Sequence, residues 1–135
     1  GLVQMERYPG LLARRRQIIG MYNDGIKADD VEYLEHYTDV YTSSGHLYLV
    51  RLLGKDSDVR NAFITKMAEN GIATNVHFKP LPMHTAYKEL GFDIVDYPNS
   101  YEMYHNEVTL PLHTNLTDEQ VEYVIENFNN IKKTV

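Results

Sequence analysis

The sequence contains no cysteine. That excludes disulfides, iron–sulfur clusters and thiol nucleophiles. Small secreted domains commonly rely on disulfides, so the absence agrees better with a reducing cytoplasm. No apolar run approaches the ~18 residues of a membrane span, and no signal-peptide pattern precedes the first element. Basic residues are in the minority, 13 Lys and Arg against 19 Asp and Glu, for a net charge of −6 at pH 7. Phosphate backbones need a clustered basic face, so a nucleic-acid partner is disfavoured. The one basic run, Arg14-Arg15-Arg16, lies in a helical pattern and reads as a solvated helix face. There is no G-x-S-x-G elbow, no G-x-G-x-x-G and no P-loop. Internal repeats and low-complexity segments are also missing.

What is present is an ordinary globular composition. The 135 residues are 43% apolar and 24% charged, enough for one domain with a real core but not for two. The chain opens at Gly1 without a methionine, inside an apolar helical pattern, and reads as a piece cut from something longer. Leu2, Val3, Met5 and Tyr8 form a short apolar stripe, interrupted at Pro9. From there Leu11, Leu12, Ile18, Ile19 and Tyr22 recur at helical spacing. The pattern predicts one long, kinkable helix over residues 1–22, ending near Asn23-Asp24-Gly25. It serves either as a link to a preceding domain or as an amphipathic core helix.

Lys27 to Ser44 is weakly patterned. Val40 and Tyr41 suit a short strand, while Tyr33, Tyr37 and Tyr41 also fit helical spacing. His46 to Leu53 is a nearly continuous apolar run and predicts a strand buried on both faces. Ser57 to Asn70 predicts a helix capped by Ser57, with Val59, Ala62, Phe63 and Met67 inward and Gly71 as its left-handed terminator. Ala73 to Phe78 is predicted as a strand, Leu90 to Tyr97 as a loop and Pro98 to Asn106 as a helix. Val108 to Leu112 is predicted as a strand, at a sheet edge or end because Pro111 cannot donate to a ladder. Thr117 and Gln120 make a capping box for a last helix facing inward through Val121, Val124, Ile125, Phe128 and Ile131. The fold class is therefore α+β, a small α/β sandwich. It has an antiparallel or mixed sheet of three to four strands, with helices 58–70 and 118–132 on one face.

The stretch Ile72 to His84, IATNVHFKPLPMH, concentrates the chemistry. Two prolines restrict the backbone, and His77, Lys79 and His84 supply imidazole and ammonium. The six histidines, at 36, 46, 77, 84, 105 and 113, show no recognised metal-ligand spacing, and no metal is predicted. His46 reads as a strand-end histidine without chemistry, and His105 and His113 as structural.

Three blocks carry a resemblance: GLVQMERYPGLLARRRQII, GIATNVHFKPLPMH and VTLPLHTNLTDEQVEYVI. In this order they resemble the C-terminal part of the DegT/StrS family, pyridoxal-phosphate-dependent aminotransferases acting on nucleotide-linked sugars. The second block resembles the family pattern G-I-x-T-x-x-H-[YF]-x-P-L-x-x-H, with Phe78 in place of the usual tyrosine. The resemblance implies the small domain of a fold-type I aminotransferase, residues 26–135, preceded by a linker helix, residues 1–25, from a large domain. That large domain carries the family's cofactor lysine and phosphate-binding residues. None of the lysines at 27, 55, 66, 79, 88, 132 and 133 stands in such a context, so no catalytic or cofactor-binding residue is expected in this fragment and it should be inactive alone.

By the same resemblance the intact parent uses pyridoxal 5'-phosphate. It passes an amino group from glutamate to a nucleotide-linked keto-sugar in cell-surface polysaccharide or related sugar biosynthesis, and forms a homodimer through the large domain. His77, Phe78, Lys79 and His84 are the expected substrate-binding residues. For His77 the plain alternative is a strand end bonded to a backbone carbonyl. Two other classes stay open: the small domain of a pyridoxal-phosphate-dependent sugar dehydratase of the same family, and a stand-alone binding module.

Overall fold

In a computed structural model describing residues 1–26 and 28–135, the chain begins with α1, Leu2–Gly25. Lys27, at the start of the stretch that sequence patterning leaves open, lies outside the described residues. Helix α1 runs unbroken through Pro9. Its residues 2–10 are exposed, with Leu2 at 84% and Met5 at 69%, and only Ile18, Ile19 and Tyr22 are buried. The arginine run is not a solvated face. Arg14 donates to Asp118 Oδ1 and to the Leu116 carbonyl, Arg15 reaches the Ser44 carbonyl, and Arg16 lies 4.5 Å over the Tyr37 ring. The three guanidiniums dock α1 on the chain's other elements.

Three strands form one antiparallel sheet in the order β1 (Val31–Tyr33), β2 (Tyr48–Leu52), β3 (Glu107–Leu110). Val50 pairs with Tyr33 on one side and with Val108 on the other. The expected double burial of β2 is corrected to alternation. Tyr48, Val50 and Leu52 are buried, while Leu49 and Arg51 are half-buried on the opposite face. On that opposite face Arg51 reaches Glu102 and Met103 of a short helix that has no buried residue, so only the inner side of β2 enters the core.

Ala73 to Phe78 is also corrected: it is no strand. It makes a single bridge, Asn75 opposite Thr109. The reason lies in the amides that follow. Asn75 Oδ1 takes the Val76 N–H at 2.8 Å, and Glu107 Oε2 takes the His77 N–H at 2.9 Å. Side chains satisfy the donors that a ladder would use, and pairing stops after one residue. The third strand is instead β1, in the weakly patterned stretch. The tyrosines at 33, 37 and 41 are not on a helix, since Tyr37 bridges to Thr42. Val40 and Tyr41 lie between these bridge partners without forming a strand.

Helix α2, Ser57–Glu69, is capped by Asp56 rather than by Ser57. The carboxylate accepts from the amides of Asp58 and Val59 at 3.0 and 2.9 Å. Its end follows expectation: Gly71 has φ +73, its N–H donates to the Ala68 carbonyl, and the Ile72 N–H reaches back to Met67. Met67 and Ile72 are both buried, which closes a Schellman motif with its apolar contact. The buried face of α2 holds Arg60, Phe63 and Met67, whereas Ala62 is exposed. Arg60, 2% exposed, replaces the predicted aliphatic contact because its donors find backbone carbonyls at the start of β3.

Two short helices, α3 (Thr85–Glu89) and α4 (Pro98–Tyr104), have no buried residue. The last helix, α5 (Asp118–Lys132), has the predicted capping box with both bonds formed. Helices α1, α2 and α5 pack on the inner face of the sheet. There Phe63 meets Phe128 edge-on at 5.0 Å, and Tyr22 meets Tyr48 at 4.8 Å. The two buried phenols are satisfied, Tyr22 by the Pro111 carbonyl and Tyr48 by Asn23 Oδ1. No described helix is long and apolar enough to cross a membrane.

Candidate functional site

With α1, α2 and α5 on one face, the other face of the sheet, bordered by α4, is left for chemistry. Period-two alternation puts Leu49 and Arg51 of β2, Glu107 and Thr109 of β3 and Glu32 of β1 on that side. A cleft of about 230 Å3 lies over it, lined by Glu32, Leu49, Arg51, His77, Met103 and Glu107 among others. The segment after α2 brings His77 to the rim, held in place by the Asn75 bridge.

His77 is tied to β3 twice. Its backbone N–H donates to Glu107 Oε2 at 2.9 Å, and its Nδ1 lies 2.8 Å from Thr109 Oγ1. The Thr109 hydroxyl in turn donates to Glu107 Oε1 at 2.6 Å. Glu107 is only 4% exposed. Burial pushes its carboxyl above the ordinary range, while the bonds from Thr109 and the His77 amide and the charge of Arg60 oppose that rise. Across the cleft Arg51 is fully engaged. It bonds Glu32 at 2.8 Å, Glu102 at 3.0 Å and Asn106 at 3.1 Å. Its charge is matched by two carboxylates, which leaves it little pull on a further anion.

The other expected site residues are placed differently. Phe78 is 73% exposed and stands edge-on to the His77 ring at 4.7 Å. Lys79 is exposed, and its carbonyl accepts from His84 Nε2 at 3.3 Å. His84 therefore staples the corner at Pro80–Pro82, away from the residues lining the cleft. His46 is exposed at the approach to β2, and His105 bonds carbonyls within its own helix. Sequence reasoning missed Glu107, Thr109 and Arg51. The alternation E-V-T-L was the available signal: it sets Glu107 and Thr109 on one face and Val108 and Leu110 on the other.

A cofactor held as an imine needs a lysine amine in a dry cleft. Among the described residues, Lys55 and Lys66 bond the C-terminal backbone, Lys132 pairs with Asp30, and Lys79, Lys88 and Lys133 are exposed. None lines the cleft. The residues present do not fit an imine-held cofactor.

Residues 1–129 match the profile of the DegT/DnrJ/EryC1/StrS aminotransferase family. The chain belongs to this family. A Streptococcus pneumoniae protein described as a sugar aminotransferase, solved in apo, PMP and PLP forms, superposes over 99% of the chain with a TM-score of 0.96 and 48% identity. The spore coat polysaccharide biosynthesis protein SpsC of Bacillus subtilis is 32% identical over 136 residues, 98% of this chain. The UDP-4-amino-4,6-dideoxy-N-acetyl-beta-L-altrosamine transaminase of Helicobacter pylori is 27% identical, also over 98% of the chain. The chain spans about a third of the length of these proteins: 34%, 35% and 36% respectively. Like its relatives in this family, it has the fold of a fold-type I sugar aminotransferase over the part it covers.

Proposed function

We propose that this chain is the C-terminal small domain of a pyridoxal-phosphate-dependent sugar aminotransferase. Residues 1–25 are its linker helix and residues 26–135 the domain proper. The match to the family across residues 1–129 carries this reading. The intact enzyme moves an amino group from glutamate to a keto-sugar held on a nucleotide, and pairs as a homodimer through residues outside this chain. Pyridoxal phosphate, when bound, supplies the electron sink for that transfer.

The part assigned to this chain is one wall of the sugar site. His77 offers an imidazole nitrogen at the cleft rim, held by Thr109 and Glu107. Phe78 offers an exposed ring beside it that can cover a sugar face and keep water away. Lys79 and His84 shape the Pro80–Pro82 corner next to the wall.

The test uses the complete reading frame that carries these residues. The purified protein is given glutamate and a UDP- or dTDP-linked keto-sugar, and products are read by mass spectrometry. An amino-sugar and 2-oxoglutarate are expected. Loss of water from the sugar without gain of nitrogen would replace the reading with the dehydratase. A reading frame confined to the 135 residues, with neither reaction, would leave a binding module.

A further inference from the structure

The bonds around His77 decide where its proton sits. We infer that Glu107, acting through the Thr109 hydroxyl, fixes the neutral His77 imidazole as the Nδ1–H tautomer, so that Nε2 faces the cleft as a hydrogen-bond acceptor and selects a hydroxyl donor on the ligand. The ligand half of this inference rests on the sugar-site reading above; the tautomer half does not.

The argument is a count of protons. The count takes Glu107 as ionised, the form that the Thr109 hydroxyl, the His77 amide and the Arg60 charge favour against its burial, and an ionised carboxylate only accepts. Glu107 Oε2 takes the His77 amide, a fixed donor, and Oε1 takes the Thr109 hydroxyl at 2.6 Å. A hydroxyl has one proton, and Thr109 has given it away. At the 2.8 Å contact with His77 Nδ1, Thr109 Oγ1 can then only accept, so Nδ1 must carry the hydrogen. In the neutral ring Nε2 is left with its lone pair. Nε2 has no protein partner among the described residues and, unlike Nε2 of His36, is not a buried orphan.

An acceptor at that position meets a donor. A sugar hydroxyl or a ligand amine satisfies it; a carboxylate or phosphate oxygen would place two acceptors face to face. Neighbouring charge points the same way, because Arg51 is already matched by Glu32 and Glu102. Glu107 and Thr109 are thus positioning residues. They act through the ring they orient.

Substitution Glu107→Gln reverses the chain. The amide oxygen must still accept from the His77 N–H, which turns the NH2 toward Thr109. The hydroxyl then accepts from that NH2 and donates to Nδ1, and the ring proton moves to Nε2. No net proton is gained or lost along the chain; two hydrogen bonds change direction, while the His77 N–H goes on donating to the side-chain oxygen. The cleft is left with a donor where the ligand needs an acceptor.

The experiment is nitrogen NMR of the full-length protein labelled in its histidines, with His77 assigned by loss of its signals in His77→Gln. At neutral pH the wild type should show Nδ1 protonated and Nε2 bare. Glu107→Gln should show the reverse, and kcat/KM for the keto-sugar should fall about five- to hundredfold, the effect of one mismatched buried polar contact, with the KM for glutamate little changed. Thr109→Ser keeps the hydroxyl and should keep the wild-type tautomer. Thr109→Val cuts the chain and should return His77 to the mixture of a free imidazole, a second test if Glu107→Gln folds poorly. A wild-type His77 protonated on Nε2, or a tautomer unmoved by both Glu107→Gln and Thr109→Val, overturns the inference. A flipped tautomer with unchanged sugar kinetics overturns its ligand half. Failure of the aminotransferase reading shows itself separately, as absent transfer in a wild type whose NMR signature is intact.

Discussion

Replacing Arg60 by Met tests whether one buried cation holds the strand that carries the site. Arg60 is 2% exposed, yet among the described residues its guanidinium makes no salt bridge. It donates to the Tyr104 carbonyl at 3.1 Å, to the Glu107 carbonyl at 3.4 Å and to Asn61 Oδ1 at 2.8 Å, and lies 4.9 Å over the Tyr104 ring. Met keeps most of the stem packing and removes every donor. A hydrogen bond to a charged group contributes about 1.5–3 kcal/mol, and the longer of the two carbonyl contacts belongs at the lower end. The ring contact adds about 0.5–2 kcal/mol. Against these stands the cost of keeping a guanidinium out of water, several kcal/mol in a real protein. The net loss expected for Arg60→Met is about 2–4 kcal/mol. At roughly 4 °C per kcal/mol for a chain of this size, the melting temperature should fall by about 8–16 °C. Arg60→Lys keeps the charge but not the planar fork and should fall between. Circular dichroism melts of the three proteins on one preparation schedule make the comparison. A loss under about 1 kcal/mol for Arg60→Met would refute the claim that these bonds anchor β3.

Two further predictions concern stability. Gly45 has φ +61, and a Cβ there would lie 2.9 Å from Ile19 Cδ1 and 3.3 Å from Arg15 Cβ, whereas Gly54 has φ +72 and open space. Gly54→Ala should cost only the left-handed strain, about 1–2 kcal/mol, and Gly45→Ala about 1–3 kcal/mol more for overpacking; equal losses in urea titrations would show that α1 gives way freely. His36 is 3% exposed, stacks on Tyr48 at 5.9 Å and bonds Ser43, and burial holds its pKa below the ordinary 6.5. The unfolded chain therefore takes up a proton that the folded chain refuses as pH falls through 6.5, so stability contributed by neutral His36 is present above that value and lost below it. His36→Phe should flatten the fall in stability between pH 7 and pH 5; an unchanged slope would assign it to other groups.

Local signals were the legible ones. The capping box at Thr117 and Gln120, the Gly71 terminator and the apolar stripe of α5 each sit within one or two turns of chain, and each formed as read. The helix at α1 and the β2 strand were found for the same reason. Errors came where a distant partner decided. Asp56 outcompeted Ser57 as a cap through a carboxylate that reaches two amides. Arg60 is absent from the inward stripe read for α2, because the carbonyls of Tyr104 and Glu107 that receive it lie 44 and 47 residues away. The arginine run was read as solvated for the same lack of visible partners, Asp118 being 104 residues from Arg14.

The site itself depends on register, which sequence expresses weakly. His77 stood out through its two following prolines, but its partners lie 30 and 32 residues further on. Alternation in β3 fixes which residues share a face; it does not say which of them meets the segment 72–78. That is set by the single bridge between Asn75 and Thr109, whose two backbone bonds of 3.2 and 2.7 Å align His77 with Glu107 and Thr109. In the sheet the pairing of Arg51 with Glu107 and of Val50 with Val108 puts the carboxylate outward and the valine inward. A slip of β3 by one residue would exchange the faces. Glu107 and Thr109 would enter the apolar core, Val108 and Leu110 would face the cleft, and His77 would have no acceptor for its Nδ1 hydrogen. An unpaired buried carboxylate costs several kcal/mol, so the same residues that orient the imidazole also forbid the register in which they could not. The polar alternation of β3 is thus both the device that fixes its place and the source of the chemistry at His77.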